Sequence, residues 1–329
     1  MKIFTVYITR NILAPAIQII SKECNVVLNK KGRPPTRREL LEGVVGKDAI
    51  LCTLLDNIDG KVIDTAGPNL KVISSYSTGV DHIDVEEATK RGISVTTTGG
   101  ILTDTTADLT FALILAIARQ ITRGYETIIH NRWKYGWDPC LMLGSDVHGK
   151  VIGILGLGKI GSAVARRAKG FDMDIIYHNR HGRNIQTEDQ VGARYVSLEE
   201  LVQKSDFLSL HCPLNNENHH IINRSIFKLM KRDAYIINTA RGALINEAHL
   251  VEALTKKWIA GAGLDVFEKE PPSSNNKLLK MKNVVLLPHI GSATLETRTK
   301  MAEIAAKNIL NVLNDKTPTF ITNPQVHHR

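Results

Sequence analysis

The sequence predicts an α/β protein of two domains, each with a parallel sheet covered by helices. Three observations support this prediction. The chain has 329 residues, more than the roughly 250–300 at which a single hydrophobic core usually stops growing. Short apolar runs typical of strands alternate with segments of helical pattern along the whole chain. A strand, a glycine-rich turn and a helix follow one another at 151–169, an order typical of parallel α/β sheets.

The first hundred residues supply one sheet. Its strands are predicted at 2–8, 25–28, 49–52, 72–74 and 94–95. Helices are predicted between them at 13–20, 37–45, 59–65 and 85–90. Strands that alternate with helices in this way favour parallel pairing over hairpins.

A long helix from about residue 104 to about residue 130 is predicted to lead into the second sheet. After the strand that opens at Val151, further strands are predicted at 173–178, 207–210, 234–238, 263–266 and 284–287. Helices are predicted at 162–169, 198–203, 225–230, 247–257 and 295–313. Because the final helix follows the last strand, we expect the chain to return to the first domain. The expected domains are residues 1–100 plus 292–329, and residues 101–291 with the connecting helix.

Composition is that of an ordinary globular protein, with 43% hydrophobic and 23% charged residues. The central apolar run at 111–118 is far shorter than the roughly 20 residues that span a bilayer, so it indicates a core helix. The N-terminus lacks the apolar stretch of a signal peptide. We therefore expect a cytoplasmic protein without a membrane partner.

The basic residues that give a formal charge of +9 are spread along the chain. Only 30–38 is dense, and its Gly and Pro-Pro indicate a solvated loop, so we expect no nucleic-acid partner. A basic surface would also attract anionic substrates and phosphorylated cofactors. The four cysteines form no Cys-x-x-Cys pair, which predicts reduced thiols and no metal site.

The glycines of the central turn have the spacing Gly-x-Gly-x-x-Gly, at Gly156, Gly158 and Gly161. In a Rossmann-type unit the first makes the turn, the second admits a pyrophosphate, and the third lets helix and strand pack closely. The phosphates then lie on unpaired N–H groups at the start of the helix, here Lys159 and Ile160. The spacing alone is a weak signal, but its strand–turn–helix context favours a dinucleotide site.

Candidate catalytic groups follow three later strands of this sheet: Arg241, Glu270 and His289. Ligands of open α/β sheets bind beyond the carboxyl ends of the strands. An arginine can grip a carboxylate with two hydrogen bonds, and a histidine held by a carboxylate can move a proton at neutral pH. Taken singly, each has a simpler interpretation as a surface salt bridge, a solvated acid or an unremarkable histidine. Their joint position favours chemistry.

With these residues in these positions, the sequence resembles the D-isomer-specific 2-hydroxyacid dehydrogenases over nearly its whole length. The resemblance is carried by the stretches 71–84, 238–242, 263–271 and 288–294 together with the glycine motif. Within that family the chain looks most like the glyoxylate/hydroxypyruvate reductase branch, notably the archaeal glyoxylate reductases, through 137–144.

The resemblance implies a Rossmann-type dinucleotide-binding domain and a flavodoxin-like substrate domain. It implies that Arg241 binds the substrate carboxylate, that His289 supplies the proton, and that Glu270 supports the imidazolium. The other implied substrate contacts are Leu54, Thr78, Gly79, Trp137 and Ser292. The other implied cofactor contacts are Thr106, His211, Cys212, Pro213, Thr239, Asp265 and Gly291.

The same resemblance implies a homodimer, because Trp137 would reach the active site of the neighbouring subunit. The alternative for Trp137 is an aromatic that packs in the core or in its own loop.

The end of the second strand of this unit decides the expected cofactor. An NAD site usually has an acid there for the ribose hydroxyls, but 177–183 holds none. Asn179, Arg180 and Arg183 could instead bind a 2′-phosphate. We therefore expect NADPH to be preferred, with NADH possible; the alternative is that both arginines face solvent and either cofactor serves.

The expected reaction is hydride transfer that reduces glyoxylate to glycolate, or hydroxypyruvate to D-glycerate. Another D-2-hydroxyacid dehydrogenase activity, such as that of D-glycerate or 3-phosphoglycerate dehydrogenase, is the main alternative. Formate dehydrogenase is disfavoured because it has Gln where this chain has Glu270. From a different class, the family includes nucleotide-sensing co-repressors that act by binding proteins.

Overall fold

The computed structural model describes residues 3–326. These residues divide into two compact units, which we call the first unit (3–102 with 292–326) and the second unit (103–291). The strands are β1 Thr5–Ile8, β2 Asn25–Leu28, β3 Ala49–Cys52, β4 Val72–Ser75, β5 Ser94–Thr96, β6 Val151–Leu155, β7 Asp174–His178, β8 Arg194–Tyr195, β9 Phe207–Leu210, β10 Tyr235–Asn238, β11 Gly261–Leu264 and β12 Val284–Leu286. The α-helices are α1 Ala14–Ser21, α2 Arg37–Val44, α3 Gly60–Ala66, α4 Val85–Lys90, α5 Thr103–Ala118, α6 Ile121–Ile129, α7 Lys159–Lys169, α8 Ile185–Val191, α9 Leu198–Lys204, α10 Arg224–Leu229, α11 Glu247–Thr255 and α12 Leu295–Leu313.

The first unit is built on a five-stranded sheet in the order β2-β1-β3-β4-β5. All of its strand pairs are parallel. This is the flavodoxin-like strand order, and it confirms the predicted fold of this part. Helix α12 packs against α1 and β4, so the C-terminal helix belongs to this unit. The predicted first strand is shorter than expected: it begins at Thr5, and its predicted start at Lys2 lies outside the described residues.

The second unit has a seven-stranded parallel sheet in the order β12-β11-β10-β9-β6-β7-β8. The strands run outward in both directions from β6 and β9, which pair directly. This is the doubly wound Rossmann arrangement, whose ligands bind where the winding reverses. Alternate strand residues face two separate cores: Ile237, for example, packs with α5 and α7, whereas Ile236 packs with α9, α10 and α11.

The predicted long helix over 104–130 is wrong as a single element. Helix α5 ends at Ala118, Gln120 takes a left-handed conformation (φ 52°), and α6 begins at Ile121. The chain that returns at Ser145 donates its N–H to the Ala118 carbonyl oxygen at 2.9 Å. That bond caps the end of α5, and a neighbouring Gln120 side chain bonds the Leu143 carbonyl at 2.8 Å.

Helix α5 is the core helix of the second unit. By length and composition alone, the stretch Gly99–Ala118 could cross a membrane. In the structure α5 lies against α7 and against β10, β11 and β12, with Leu113 and Ile114 fully buried. Burial in the protein therefore accounts for its apolar sequence.

Three details of the second sheet differ from the prediction. Helix α8 and strand β8 were not predicted, because few apolar residues mark them. Strand β11 ends at Leu264, two residues earlier than predicted. The following residue, Asp265, still donates its N–H to the Asn238 carbonyl oxygen at 2.9 Å, and its carboxylate accepts two N–H groups of the turn after β12.

Candidate active site

The glycine turn after β6 is shaped by contacts that exclude side chains at two of its three glycines. Gly156 has φ 102°, and a Cβ there would lie 2.7 Å from the Cys212 nitrogen. A Cβ on Gly161 would lie 2.2 Å from the Gly156 carbonyl oxygen. At Gly158 a Cβ would meet nothing within 4 Å, so this position faces open space. The turn thus leaves room for a ligand at its middle glycine.

Helix α7 begins directly at this open position. Its cap residue, Gly158, has no side chain to bond the first-turn N–H groups. The first N–H groups of a helix have no partner within it and carry the positive end of the helix dipole. Lys159 and Ile160 lie in this first turn. The turn and helix therefore fit the pyrophosphate of a dinucleotide.

The tip of β7 is tied to the glycine turn. Gly156 donates its N–H to the His178 carbonyl oxygen at 2.9 Å, and Leu157 donates its N–H to Asn179 Oδ1 at 2.7 Å. An amide therefore stands where an NAD site usually has an acid. Of the two other predicted phosphate ligands, Arg180 pairs with Glu217. Arg183 pairs with Glu188.

The segment after β9 faces the same turn. The His211 N–H donates to the Leu155 carbonyl oxygen at 2.8 Å, and the ring Nε2 lies 2.8 Å from Ser209 Oγ. Burial lowers the pKa of the His211 imidazole to about 3 and raises the pKa of the Cys212 thiol to about 11. Both groups are therefore neutral near pH 7. Pro213 follows, and its carbonyl oxygen accepts from Asn218 Nδ2 at 2.6 Å.

The neutral His211 predicts a pH-dependent stability. In the unfolded chain its pKa is about 6.5, so below that pH the unfolded state takes up a proton that the folded state refuses. Stability is full above pH 6.5 and falls as the pH drops toward the folded pKa of about 3. When the pH falls from 7 to 5, the free energy of unfolding should decrease in both proteins. The decrease measured by urea titration should be about 1–2 kcal/mol smaller in His211→Asn than in the wild type. An equal loss in both proteins would contradict this.

Three residues of the predicted cofactor site, two threonines and a glycine, are linked by hydrogen bonds at α5. The Thr110 hydroxyl lies 3.0 Å from the Thr239 hydroxyl and donates to the Thr106 carbonyl oxygen at 2.9 Å. The Thr106 hydroxyl donates to the Gly291 carbonyl oxygen at 3.2 Å. The structure therefore brings Thr106, Thr239 and Gly291, from distant parts of the sequence, into one network.

Arg241 lies in the turn that follows β10. Asn238 shapes this turn, since its Nδ2 donates to the Arg241 carbonyl oxygen at 2.8 Å. A Cβ on Gly242 would lie 1.9 Å from the Phe267 carbonyl carbon. Only glycine permits this approach, which brings the Arg241 turn against the loop that carries Glu270.

Glu270 and His289 form a carboxylate–imidazole pair. Glu270 Oε2 lies 2.7 Å from His289 Nδ1, while Oε1 accepts the Phe267 N–H at 3.1 Å. A carboxylate can only accept at this distance, so Nδ1 carries a hydrogen and Nε2 is the ring atom that gains and loses a proton. The pair is partly exposed to solvent. Such a pair can act as a proton donor, the imidazole, whose orientation is fixed by a carboxylate.

Asp265 holds the turn that bears His289, a role that the sequence did not suggest. Its carboxylate accepts the N–H groups of Ile290 and Gly291, each at 2.7 Å, and its carbonyl oxygen accepts the His289 N–H at 2.9 Å. His289 is held in a left-handed conformation, with φ 55°. Burial raises the pKa of the Asp265 carboxyl, and the two N–H groups oppose that shift. The aspartate therefore fixes the direction of the imidazole.

The predicted substrate residues outside the second unit lie in loops of the first. Leu54 follows β3, and Ser292 precedes α12. The Thr78 hydroxyl donates to the Gly99 carbonyl oxygen at 2.6 Å, and the Gly79 carbonyl oxygen accepts from the Ser77 hydroxyl at 2.6 Å. These bonds fix the turn that presents the backbone of 78–79.

Trp137 lies in the loop between α6 and β6 and is 83% exposed. Its alternative interpretation as a core aromatic is therefore wrong. Apolar side chains of the preceding helix α6 are also exposed, among them Tyr125, Ile128 and Ile129. Helix α6 has no buried residue. We call its exposed apolar side chains, together with Trp137, the apolar surface of α6 and the following loop.

Comparison with known proteins decides the family. Residues 111–291 match the family model of the NAD-binding domain of the D-isomer specific 2-hydroxyacid dehydrogenases. A glyoxylate reductase of Thermofilum pendens is 47% identical, with 98% of this chain and 95% of the relative covered. One of Thermococcus litoralis is 48% identical, with 98% and 97% covered. The chain belongs to this family.

Among solved structures of D-2-hydroxyacid dehydrogenase relatives, one is an NADPH-dependent glyoxylate/hydroxypyruvate reductase of Sinorhizobium meliloti in complex with NADP and malonate. It is 27% identical to this chain with a TM-score of 0.85, and covers 98% of this chain and 97% of its own. The described part of this dehydrogenase, residues 3–326, contains no group of acidic, histidine or cysteine side chains arranged to hold a metal. Its cysteines there are all unpaired.

Proposed function

We propose that this dehydrogenase reduces glyoxylate, and also hydroxypyruvate, to the 2-hydroxy acid with a hydride from NADPH. The observation that carries the proposal is the Glu270–His289 pair, held 2.7 Å apart in a nucleotide-binding unit. Curated relatives named glyoxylate reductase, 44–48% identical to this chain, support the substrate class.

In the proposed mechanism, a nicotinamide dinucleotide held at the glycine turn would supply the hydride that reduces the carbonyl carbon of the 2-oxoacid. Arg241 binds the substrate carboxylate with its planar fork and so orients the carbonyl. His289 gives its Nε2 proton to the carbonyl oxygen as the alcohol forms. Glu270 stabilises the imidazolium before that transfer, because its carboxylate accepts from Nδ1.

The proposed preference for NADPH rests on the absence of an acid at the tip of β7. A carboxylate there would repel a 2′-phosphate, whereas Asn179 is neutral and Arg180 and Arg183 are cationic. A neighbour in structure, the Sinorhizobium enzyme, is solved with NADP. We expect kcat/KM for NADPH to exceed that for NADH.

The role of Asp265 predicts a loss of turnover without loss of the reacting groups. Asp265→Asn can accept only one of the two N–H groups of Ile290 and Gly291, so the His289 turn loosens. A shift of about 1 Å at a reacting group can cost roughly 100-fold in rate. We expect kcat to fall about 10- to 100-fold, with the free energy of unfolding lower by about 2 kcal/mol. Asp233→Asn, at an exposed turn, is the matched control; turnover within twofold of the wild type in Asp265→Asn would refute the positioning role.

We also propose a homodimer that covers the apolar surface of α6 and the following loop. Exposed apolar patches of this kind mark protein interfaces, and Tyr125, Ile128 and Trp137 are all mostly exposed. Sedimentation should give twice the chain mass of 36.4 kDa. Ile128→Arg should shift the protein toward the monomer; a monomeric wild type would overturn the proposal.

A substrate and cofactor panel tests the function. Purified protein should oxidise NADPH with glyoxylate and with hydroxypyruvate, and should be slower with pyruvate and with 3-phosphohydroxypyruvate. Better turnover of 3-phosphohydroxypyruvate would assign another dehydrogenase activity. No turnover with any 2-oxoacid, by protein that binds the cofactor, would favour a binding protein instead.

A further inference from the structure

The loop after β7 is held by an acid that the mechanism does not use. Glu188, in α8, is only 6% exposed, although it is a charged residue. Its carboxylate accepts from the Tyr177 hydroxyl and from Arg183, through Nε at 3.1 Å and Nη2 at 2.6 Å. Two parallel bonds from one guanidinium to one carboxylate fix its orientation as well as its position.

Further bonds fix both ends of the same loop. Asn179 accepts the Leu157 N–H at 2.7 Å and so holds the start of the loop on the glycine turn. The Asn184 N–H donates to the Tyr177 hydroxyl oxygen at 2.8 Å and holds its end on β7. Arg183 lies inside this fixed loop, which begins at the predicted phosphate site.

The two arginines of the loop are held very differently. Arg180 pairs with Glu217, and both side chains are mostly exposed, at 53% and 72%. Exposed pairs of this kind contribute little and exchange readily. Glu188 is buried, and removing its cation would leave a buried charge without that partner. We therefore expect the Arg183–Glu188 ion pair to persist. The Arg183 side chain is 60% exposed, so its remaining N–H groups can bind a ligand.

We propose that Glu188 is a positioning residue for cofactor choice: it holds the Arg183 guanidinium by one edge so that the other edge binds the 2′-phosphate of NADPH. This inference rests on the proposed NADPH preference. Glu188 does not touch the cofactor in this account. Its effect is to order a flexible side chain before the phosphate arrives, so that less conformational entropy is lost on binding.

The opposite account makes Glu188 a competitor that withholds Arg183 from the phosphate. The two accounts predict opposite signs when Glu188 loses its charge. If it positions Arg183, the neutral variant binds the 2′-phosphate more weakly. If it competes, the neutral variant binds more tightly.

The test measures binding of adenosine 2′-monophosphate and adenosine 5′-monophosphate to the full-length protein by calorimetry. We expect Glu188→Gln to weaken binding of the 2′-phosphate about two- to tenfold and to leave the 5′-phosphate unchanged. The matched control is Asp189→Asn, which removes the same charge from an exposed position of the same helix. It should bind the 2′-phosphate as well as the wild type or slightly better.

Kinetics give a second readout. The KM for NADPH should rise in Glu188→Gln while kcat and the KM for NADH stay near wild type, a split that a general folding defect would not produce. Tyr177→Phe removes the hydroxyl that donates a hydrogen bond to Glu188, so it should also raise the KM for NADPH, but by less. This variant replaces Glu188→Gln in the test if Glu188→Gln does not fold. Unchanged or tighter binding of the 2′-phosphate in the folded variants would overturn the inference.

These outcomes separate the inference from the proposal beneath it. A wild type that binds both phosphates equally and uses NADH as well as NADPH would refute the NADPH preference itself. A wild type that prefers the 2′-phosphate, together with a Glu188→Gln variant that keeps the preference, would refute only the role of Glu188.

Discussion

His289→Ala should lower kcat for glyoxylate about 10²- to 10⁴-fold, the usual contribution of a positioned acid. The physical reason is that no other group in the turn can supply a proton from the place that Nε2 occupies. KM for the 2-oxoacid and the Kd for the dinucleotide should change little, because neither the carboxylate contact nor the glycine turn is altered. Steady-state kinetics and cofactor titration measure the three quantities.

The control for this variant is His148→Ala, which removes an exposed imidazole of the same unit. It should keep wild-type kinetics. A second variant, Glu270→Gln, keeps the imidazole but replaces the carboxylate at 2.7 Å with a neutral amide. We expect a loss of kcat smaller than that of His289→Ala, because the imidazole remains but the charged group that accepts from its Nδ1 is gone. Near-normal turnover by His289→Ala would remove the imidazole from the mechanism.

Arg241→Ala should lower kcat/KM for glyoxylate about 10²- to 10⁴-fold, since each hydrogen bond from a charged donor contributes roughly 1.5–3 kcal/mol. Both parameters should change: KM rises because the carboxylate loses its partner, and kcat falls because the carbonyl is no longer aligned. Arg241→Lys should recover part of KM and less of kcat, because an ammonium keeps the charge but lacks the planar fork.

Arg232→Ala is the matched control for Arg241, since it removes an exposed guanidinium from the turn before β10. It should leave both parameters near wild type. If Arg241→Ala raised KM by no more than this control, another group would have to bind the substrate carboxylate.

Much of the architecture was predictable because its signals are local. The glycine spacing at 156–161 fixes a turn whose geometry depends on the absence of Cβ atoms, and the apolar runs mark strands whose two faces are buried. Arg241, Glu270 and His289 each follow such a run, so the parallel order of β10, β11 and β12 brings their loops to one edge of the sheet.

The features that were missed depend on partners far away in sequence. Helix α5 stops at Ala118 because Ser145 supplies the capping N–H, a contact that no helical pattern encodes. In the sequence Asp265 looks like a residue at the end of a strand. Its role is visible only in the structure, where its carboxylate accepts the N–H groups of Ile290 and Gly291. In the sequence Glu188 is one of several acids in a polar segment. Only its burial beside Tyr177, seen in the structure, distinguishes it from those other acids.

The central claim is that this protein directs a hydride to one face of the carbonyl carbon of a 2-oxoacid while His289 protonates the oxygen. The most direct measurement is the amount and configuration of glycerate formed from hydroxypyruvate and NADPH by the purified wild type. We expect one D-glycerate for each NADPH oxidised, with none formed by His289→Ala on the same timescale. L-glycerate, a racemic product, or NADPH loss without glycerate would contradict it.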